Sequence, residues 1–245
     1  MSRHVLRLTI IDPVVLVLAC LAAGLIIYYV VGFPLMYVGA GSGPLTYKVE
    51  VNPFHFEFFI ATGYIDSVSR SIERSFLVLG AVTAVFGAYI VGASRDLGYS
   101  SLANLMGIGR RAYLRLSILA PITVYILIPS IATAIIAPPL RDYNFMRYWQ
   151  VPIAIVLIVL TVLAVQLSIA IILTHIAANT YRGLILTLIA LYLLGIMGAH
   201  ERLIVISREM ESLNELLMRI AGVAVIAIIV LAIAYMIVER RTTTR

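Results

Sequence analysis

Charged residues are scarce in this sequence, and their scarcity excludes most classes of soluble protein. Only 12% of the 245 residues are charged and 62% are hydrophobic, which gives a mean hydropathy of +1.04. A soluble domain carries about a quarter charged residues and about half apolar ones. Lipid must therefore be the main solvent of this chain, and a soluble enzyme is excluded.

Cysteine and lysine are almost missing as well. Cys20 is the one cysteine, which excludes a disulfide scaffold. Lys48 is the one lysine and follows no Gly-rich phosphate-binding loop, so we expect no ATP hydrolysis in this chain. The four histidines are isolated, so we also expect no metal site, no cofactor and no catalytic residue. The net charge of +6 indicates membrane orientation rather than nucleic-acid binding.

Long apolar runs make up most of what is present. A membrane-spanning helix needs about 20 mostly apolar residues, and six stretches meet that requirement. They are residues 13–38, 76–94, 116–138, 151–175, 183–199 and 220–238. The runs are too continuous for the alternating strands of a β-barrel. The sequence therefore predicts an all-α, polytopic, single-domain membrane protein, with a break near Gly195 or Gly198 as an alternative to one straight fifth helix.

The distribution of charge predicts the orientation. With the N-terminus inside, the inside segments carry ten basic and three acidic residues, and the outside segments carry eight and nine. The excess of arginine in the inside loops places both termini in the cytoplasm, with the chain in the cell membrane.

Two outside segments have apolar residues at helical spacing opposite charged ones. Residues 53–72 and 203–217 are each predicted to form an amphipathic helix on the membrane surface. They either cover the outer ends of the spans or act as a lid over a transport path.

No span contains Asp, Glu, Lys or Arg, so an ion-coupled carrier is not supported. Among the polar residues that do occur there, Gln166 is the most costly to leave unpaired. It forms an interhelical hydrogen bond, or it lines a translocation path together with Thr123 and Ser130.

The connection between the second and third spans, residues 95–115, places a short apolar ridge beside a basic cluster. The residues of the ridge and of the cluster are Leu102, Leu105, Met106, Arg110 and Arg111. A helix with such a ridge can bind in a groove of a soluble partner. The alternative is that the arginines only fix the topology.

This loop resembles the cytoplasmic loop between the second and third spans of ABC type-2 permeases. The family order is an acidic residue, Gly, a leucine-rich turn, Pro and Arg. The residues in that order here are Asp96, Gly98, Leu102, Leu105, Gly107 and Arg110, and Arg115 stands near the family's later basic residue. Gly107 replaces the usual Pro, and residues 1–11 are shorter than the family's N-terminal interface helix.

The resemblance implies that the loop is a coupling helix that contacts a cytoplasmic ABC ATPase subunit. The chain is then a permease subunit of an exporter, paired with a second copy or a homologous chain, while ATP and Mg²⁺ bind to the ATPase. Two alternatives stay open. One is a non-transporting membrane scaffold or assembly subunit. The other is an ABC importer permease, although the interval from Gly107 to Pro121 is one residue longer than importer loops have.

Overall fold

The computed structural model describes residues 12–28, 72, 75–93, 115–136, 150–177, 179–197 and 213–243. These residues form six helices and no β-strand. The helices are α1 (Pro13–Ile27), α2 (75–87, continued as a π-helix over Ala88–Ala93), α3 (a π-helix over Arg115–Leu119, then Ala120–Ile136), α4 (Gln150–Ile176), α5 (Thr180–Ile196) and α6 (Leu213–Thr243).

Most of these helices suit a lipid environment. Four apolar stretches are long enough to cross a bilayer, namely Ser75–Gly92, Ser117–Ile135, Pro152–Ile176 and Asn214–Glu239. A helix satisfies its own backbone hydrogen bonds, which lipid cannot do for it. The prediction of an all-α fold is confirmed for the described residues, and their long apolar helices are compatible with a helical membrane protein. The count of six spans stays a prediction, because the described parts of α1 and α5 have only 15 and 17 residues.

The predicted boundaries of the spans agree best with the observed helix ends for α4. Helix α4 begins and ends one residue beyond the predicted 151–175. Helix α5 begins three residues before the predicted 183, because the Asn179 side chain accepts a hydrogen bond from Tyr181 N and caps the helix. It continues through Gly195 and ends at Ile196. Residues 29–38 of the first predicted span lie outside the described residues.

The prediction for the last span needs a correction. The apolar spacing predicts Leu213 and Leu217 in a separate surface helix, but they belong to the same continuous helix as the final span. Hydropathy marks the part of a helix that suits lipid, whereas the helix itself continues into polar sequence. Glu215 and Arg219 form an exposed ion pair one turn apart at 2.9 Å. Of the other predicted surface helix only Ile72 is described, and it is helical and buried.

Helix α4 is the centre of the bundle and packs against α2, α3, α5 and α6, while α1 packs on α3. Small residues allow the closest approaches. A Cβ atom added at Gly87 of α2 would lie 2.5 Å from Ala170 Cβ of α4. One added at Gly183 of α5 would lie 2.7 Å from Thr174 Cα. Membrane helices commonly pack closely at such positions, where association depends on van der Waals contact.

Candidate functional site

A buried amide bridges the two most enclosed helices. Gln166 of α4 has no exposed surface. Its Nε2 donates to the Phe76 carbonyl oxygen of α2 at 2.9 Å, and its Oε1 accepts from Thr83 Oγ1 at 3.2 Å. The interhelical hydrogen bond considered for Gln166 is therefore present, and its partners lie two turns apart on α2.

Gly80 makes room for this amide. A Cβ atom at that position would lie 3.5 Å from Gln166 Nε2 and 3.1 Å from Leu191 Cδ1 of α5. The missing side chain lets the glutamine lie along the backbone of α2. Helices α2, α4 and α5 thus meet at one small residue.

Tyr125 of α3 joins the same cluster. Its hydroxyl lies 3.0 Å from Thr83 Oγ1, and its ring stacks on Phe86 with 4.0 Å between the ring centroids. Thr83 Oγ1 also lies 2.9 Å from the Leu79 carbonyl oxygen, which can accept its proton. A threonine has one hydroxyl proton, which the Leu79 carbonyl oxygen and Gln166 Oε1 share as acceptors. The Tyr125 hydroxyl is therefore placed to donate to Thr83 Oγ1. We call Thr83, Tyr125 and Gln166 the polar cluster; it connects α2, α3 and α4.

Five other hydroxyls in the spans bond within their own helix. Each of them donates to the carbonyl oxygen four residues earlier, at 2.6 to 2.8 Å; they are Thr123, Thr133, Thr161, Ser168 and Thr187. This pattern satisfies a hydroxyl in lipid without a partner helix. The hydrogen bonds of the polar cluster differ from these five because they join separate helices.

The three residues proposed for a translocation path lie in different settings. Gln166 is enclosed within the polar cluster. Thr123 is on the exposed side of α3 and donates to the Leu119 carbonyl oxygen. Ser130 is 7% exposed, and its Oγ has no hydrogen-bond partner among the described residues. No hydrogen bond described here joins the three.

The residues of the predicted coupling loop lie outside the described residues, apart from the backbone of Arg115. They are Asp96, Gly98, Leu102, Leu105, Met106, Gly107, Arg110 and Arg111. The two segments that flank this loop are described, and both are π-helical: Ala88–Ala93 and Arg115–Leu119. They contact each other, so the chain leaves and re-enters the bundle at one place. π-Helical turns inside α-helices are frequent at functional sites.

A carboxylate connects the start of α1 to one of these flanking segments. Asp12 Oδ1 accepts from Val14 N at 2.9 Å and caps α1, with Pro13 in the first helical turn. Asp12 Oδ2 accepts from the Tyr89 hydroxyl at 2.5 Å. In the same π-helical turn, Gly92 packs directly against the Thr180 side chain at the start of α5. Helices α1, α2, α3 and α5 therefore meet where the loop is attached.

Sequence reasoning missed Thr83, and it counted Asp12 only as a charge. A usable signal for Thr83 was its depth, since it lies near the middle of its span, as Gln166 does. For Tyr89 and Asp12 the sequence offers no comparable signal. Their contact depends on how the ends of two antiparallel helices pack.

Among the described residues, no group of three or more His, Cys, Asp or Glu side chains lies close enough together to hold a metal ion. Comparison of the chain with protein-family models, with curated proteins and with solved structures found no match.

Proposed function

We propose that this chain is the permease subunit of an ABC exporter and that a separate cytoplasmic subunit hydrolyses the ATP. The observation that carries the proposal is the contact between Ala88–Ala93 and Arg115–Leu119. It gathers both ends of the arginine-containing loop at one end of the bundle. A loop attached in this way can transmit a push to two helices at once.

The polar cluster supports the same function, because it connects the helices that bear the loop to the centre of the bundle. Thr83 of α2 is hydrogen-bonded to Gln166 of α4 and also to Tyr125 of α3. When the ATPase pair closes on ATP, the loop moves towards the membrane, and α2 and α3 move with α4 as one body. A second copy or a homologous chain completes the path, which opens between the two permease subunits.

In this proposal the loop and both termini face the cytoplasm of the cell. The six spans predicted from the sequence hold no Asp, Glu, Lys or Arg, so the path suits a lipid, a peptide or an apolar drug better than a bare ion.

The test is a purification of the tagged chain from its native membranes in a mild detergent, with the bound proteins identified by mass. We expect a stoichiometric subunit that contains the phosphate-binding motif of an ATPase. The double variant Arg110→Glu/Arg111→Glu should retain less than a tenth of that subunit. The matched control Arg240→Glu/Arg241→Glu, which changes the same charge at the C-terminal end, should retain all of it.

The alternative function is a membrane scaffold without transport, in which the arginines serve topology alone. This alternative is favoured if the chain is intact and abundant in the purification and no ATPase co-purifies with it. An ATPase that stays bound to the Arg110→Glu/Arg111→Glu variant would keep the transporter class and overturn the docking role of the loop.

A further inference from the structure

Tyr89 lies at a junction of the bundle that the polar cluster does not include. It belongs to the π-helical turn Ala88–Ala93, which precedes the loop, and its ring is partly buried. Its hydroxyl donates to Asp12, the residue that caps α1. The two residues are 77 positions apart in the sequence, so the bond joins separate elements.

Helix α1 packs on α3, and its buried side chains, such as Val15, Ala19 and Ala22, are apolar. Apolar contacts of this kind allow helices to slide, since they have little directional preference. A charge-assisted hydrogen bond has a fixed geometry and is about twice as strong as a neutral one.

We propose that the Tyr89–Asp12 hydrogen bond is the link by which movement of the 95–115 loop reaches α1. This inference rests on the proposed function, because it takes the loop as the place where the ATPase acts. Tyr89 and Asp12 are positioning residues in this account. When the ATPase pulls or pushes the π-helical turn, the carboxylate at the start of α1 follows the tyrosine hydroxyl, and α1 shifts along α3.

The chain supplies its own reporter for this movement. Cys20 is the only cysteine, it lies on α1, and its side chain is exposed. A nitroxide attached to Cys20 reports the surroundings and mobility of α1 without any engineered cysteine. The label is read in the complex of chain and ATPase, before and after addition of a non-hydrolysable ATP analogue.

Two variants remove the link and leave the helices intact. Tyr89→Phe deletes only the hydroxyl. Asp12→Ser keeps a good N-cap, because the serine hydroxyl oxygen can accept from Val14 N, but it removes the carboxylate oxygen Oδ2 that accepts from Tyr89. The control is Tyr181→Phe, which deletes an exposed hydroxyl at the start of α5, on the same side of the bundle.

We expect the nucleotide analogue to change the Cys20 spectrum in the natural chain and in Tyr181→Phe. In Tyr89→Phe and in Asp12→Ser the change should fall at least twofold, while both variants still bind the ATPase at the natural ratio. A merely structural role would alter thermal stability and leave the nucleotide response unchanged.

Equal responses in all four proteins overturn the link alone and leave the proposed function in place. The same holds if the label in the natural chain does not respond, because α1 then does not move. A chain that binds no ATPase overturns the proposed function, and the link with it.

Discussion

Gln166 and Thr83 are hydrogen-bonded at 3.2 Å across the interface of α4 and α2, in a part of the bundle that has no contact with solvent. In a bilayer such a bond has no competition from water. Measured contributions of interhelical hydrogen bonds in membrane proteins are nevertheless modest, on average about 0.6 kcal/mol, because the unfolded chain in lipid finds other partners. The same bond therefore fixes which faces of the helices meet more than it stabilises the fold.

The first prediction concerns Gln166→Leu. The variant keeps the side-chain volume and removes both interhelical bonds, while Thr83 keeps the Leu79 carbonyl oxygen as its acceptor. We expect a loss of about 1 kcal/mol in unfolding free energy, measured by denaturant titration of the purified chain in detergent. The control is Thr161→Val on the same helix. Its hydroxyl bonds only to the Leu157 carbonyl oxygen within α4, so the unfolding free energy should change by less than half as much.

The second prediction separates the ring of Tyr125 from its hydroxyl. Tyr125→Phe keeps the stack on Phe86 and loses the contact with Thr83, so we expect a cost of about 1 kcal/mol. Tyr125→Ala empties a fully buried site and should cost about 3–5 kcal/mol. The thermal midpoints of the two variants measure the difference. Equal costs would show that the hydroxyl, rather than the ring, carries the contribution.

The third prediction compares two glycines with opposite expected signs. Gly87→Ala places a methyl group 2.5 Å from Ala170 Cβ, and the helices must separate. We expect a loss of about 1–3 kcal/mol in stability, as for other overpacked cores. Gly24→Ala adds a methyl group where no atom of another helix lies within 4 Å. It should gain about 0.5–1 kcal/mol, because alanine loses less backbone entropy in a helix. If both variants lowered the midpoint equally, the close approach of α2 and α4 would be wrong.

The fourth prediction concerns the start of α5. The Asn179 side chain accepts from Tyr181 N at 2.7 Å and caps the helix. Asn179→Ala should cost about 1 kcal/mol and expose the first turn of α5, whereas Asn179→Ser should cost only a few tenths. Amide hydrogen exchange at Tyr181 measures this directly, with faster exchange in the alanine variant alone. Unchanged exchange in both variants would contradict the cap.

The helices could be predicted from the sequence because the membrane imposes a simple rule. A lipid solvent requires continuous apolar helices, so the ends of α4 came within one residue of the predicted span. The same rule misplaced the start of α6. Hydropathy cannot distinguish a helix that ends at the membrane surface from one that continues into water with Glu215 and Arg219 on its exposed side.

The partners of polar residues could not be predicted in the same way. The cost of burying Gln166 indicated that a partner had to exist, but the choice of Thr83 and Phe76 depends on how α2 and α4 are rotated about their axes. The π-helical turns at Ala88–Ala93 and Arg115–Leu119 have no periodic sequence signal, since they arise where the helices meet. The contact of Asp12 with Tyr89 depends on the same packing.

The measurement that tests the central claim most directly is the mass of the intact particle extracted from native membranes, determined by native mass spectrometry. The chain has a mass of 26.9 kDa. The account predicts a particle with two membrane chains and two further subunits, which separate as ATPase polypeptides when the gas-phase complex is broken. A particle whose mass consists only of multiples of 26.9 kDa would contradict the account.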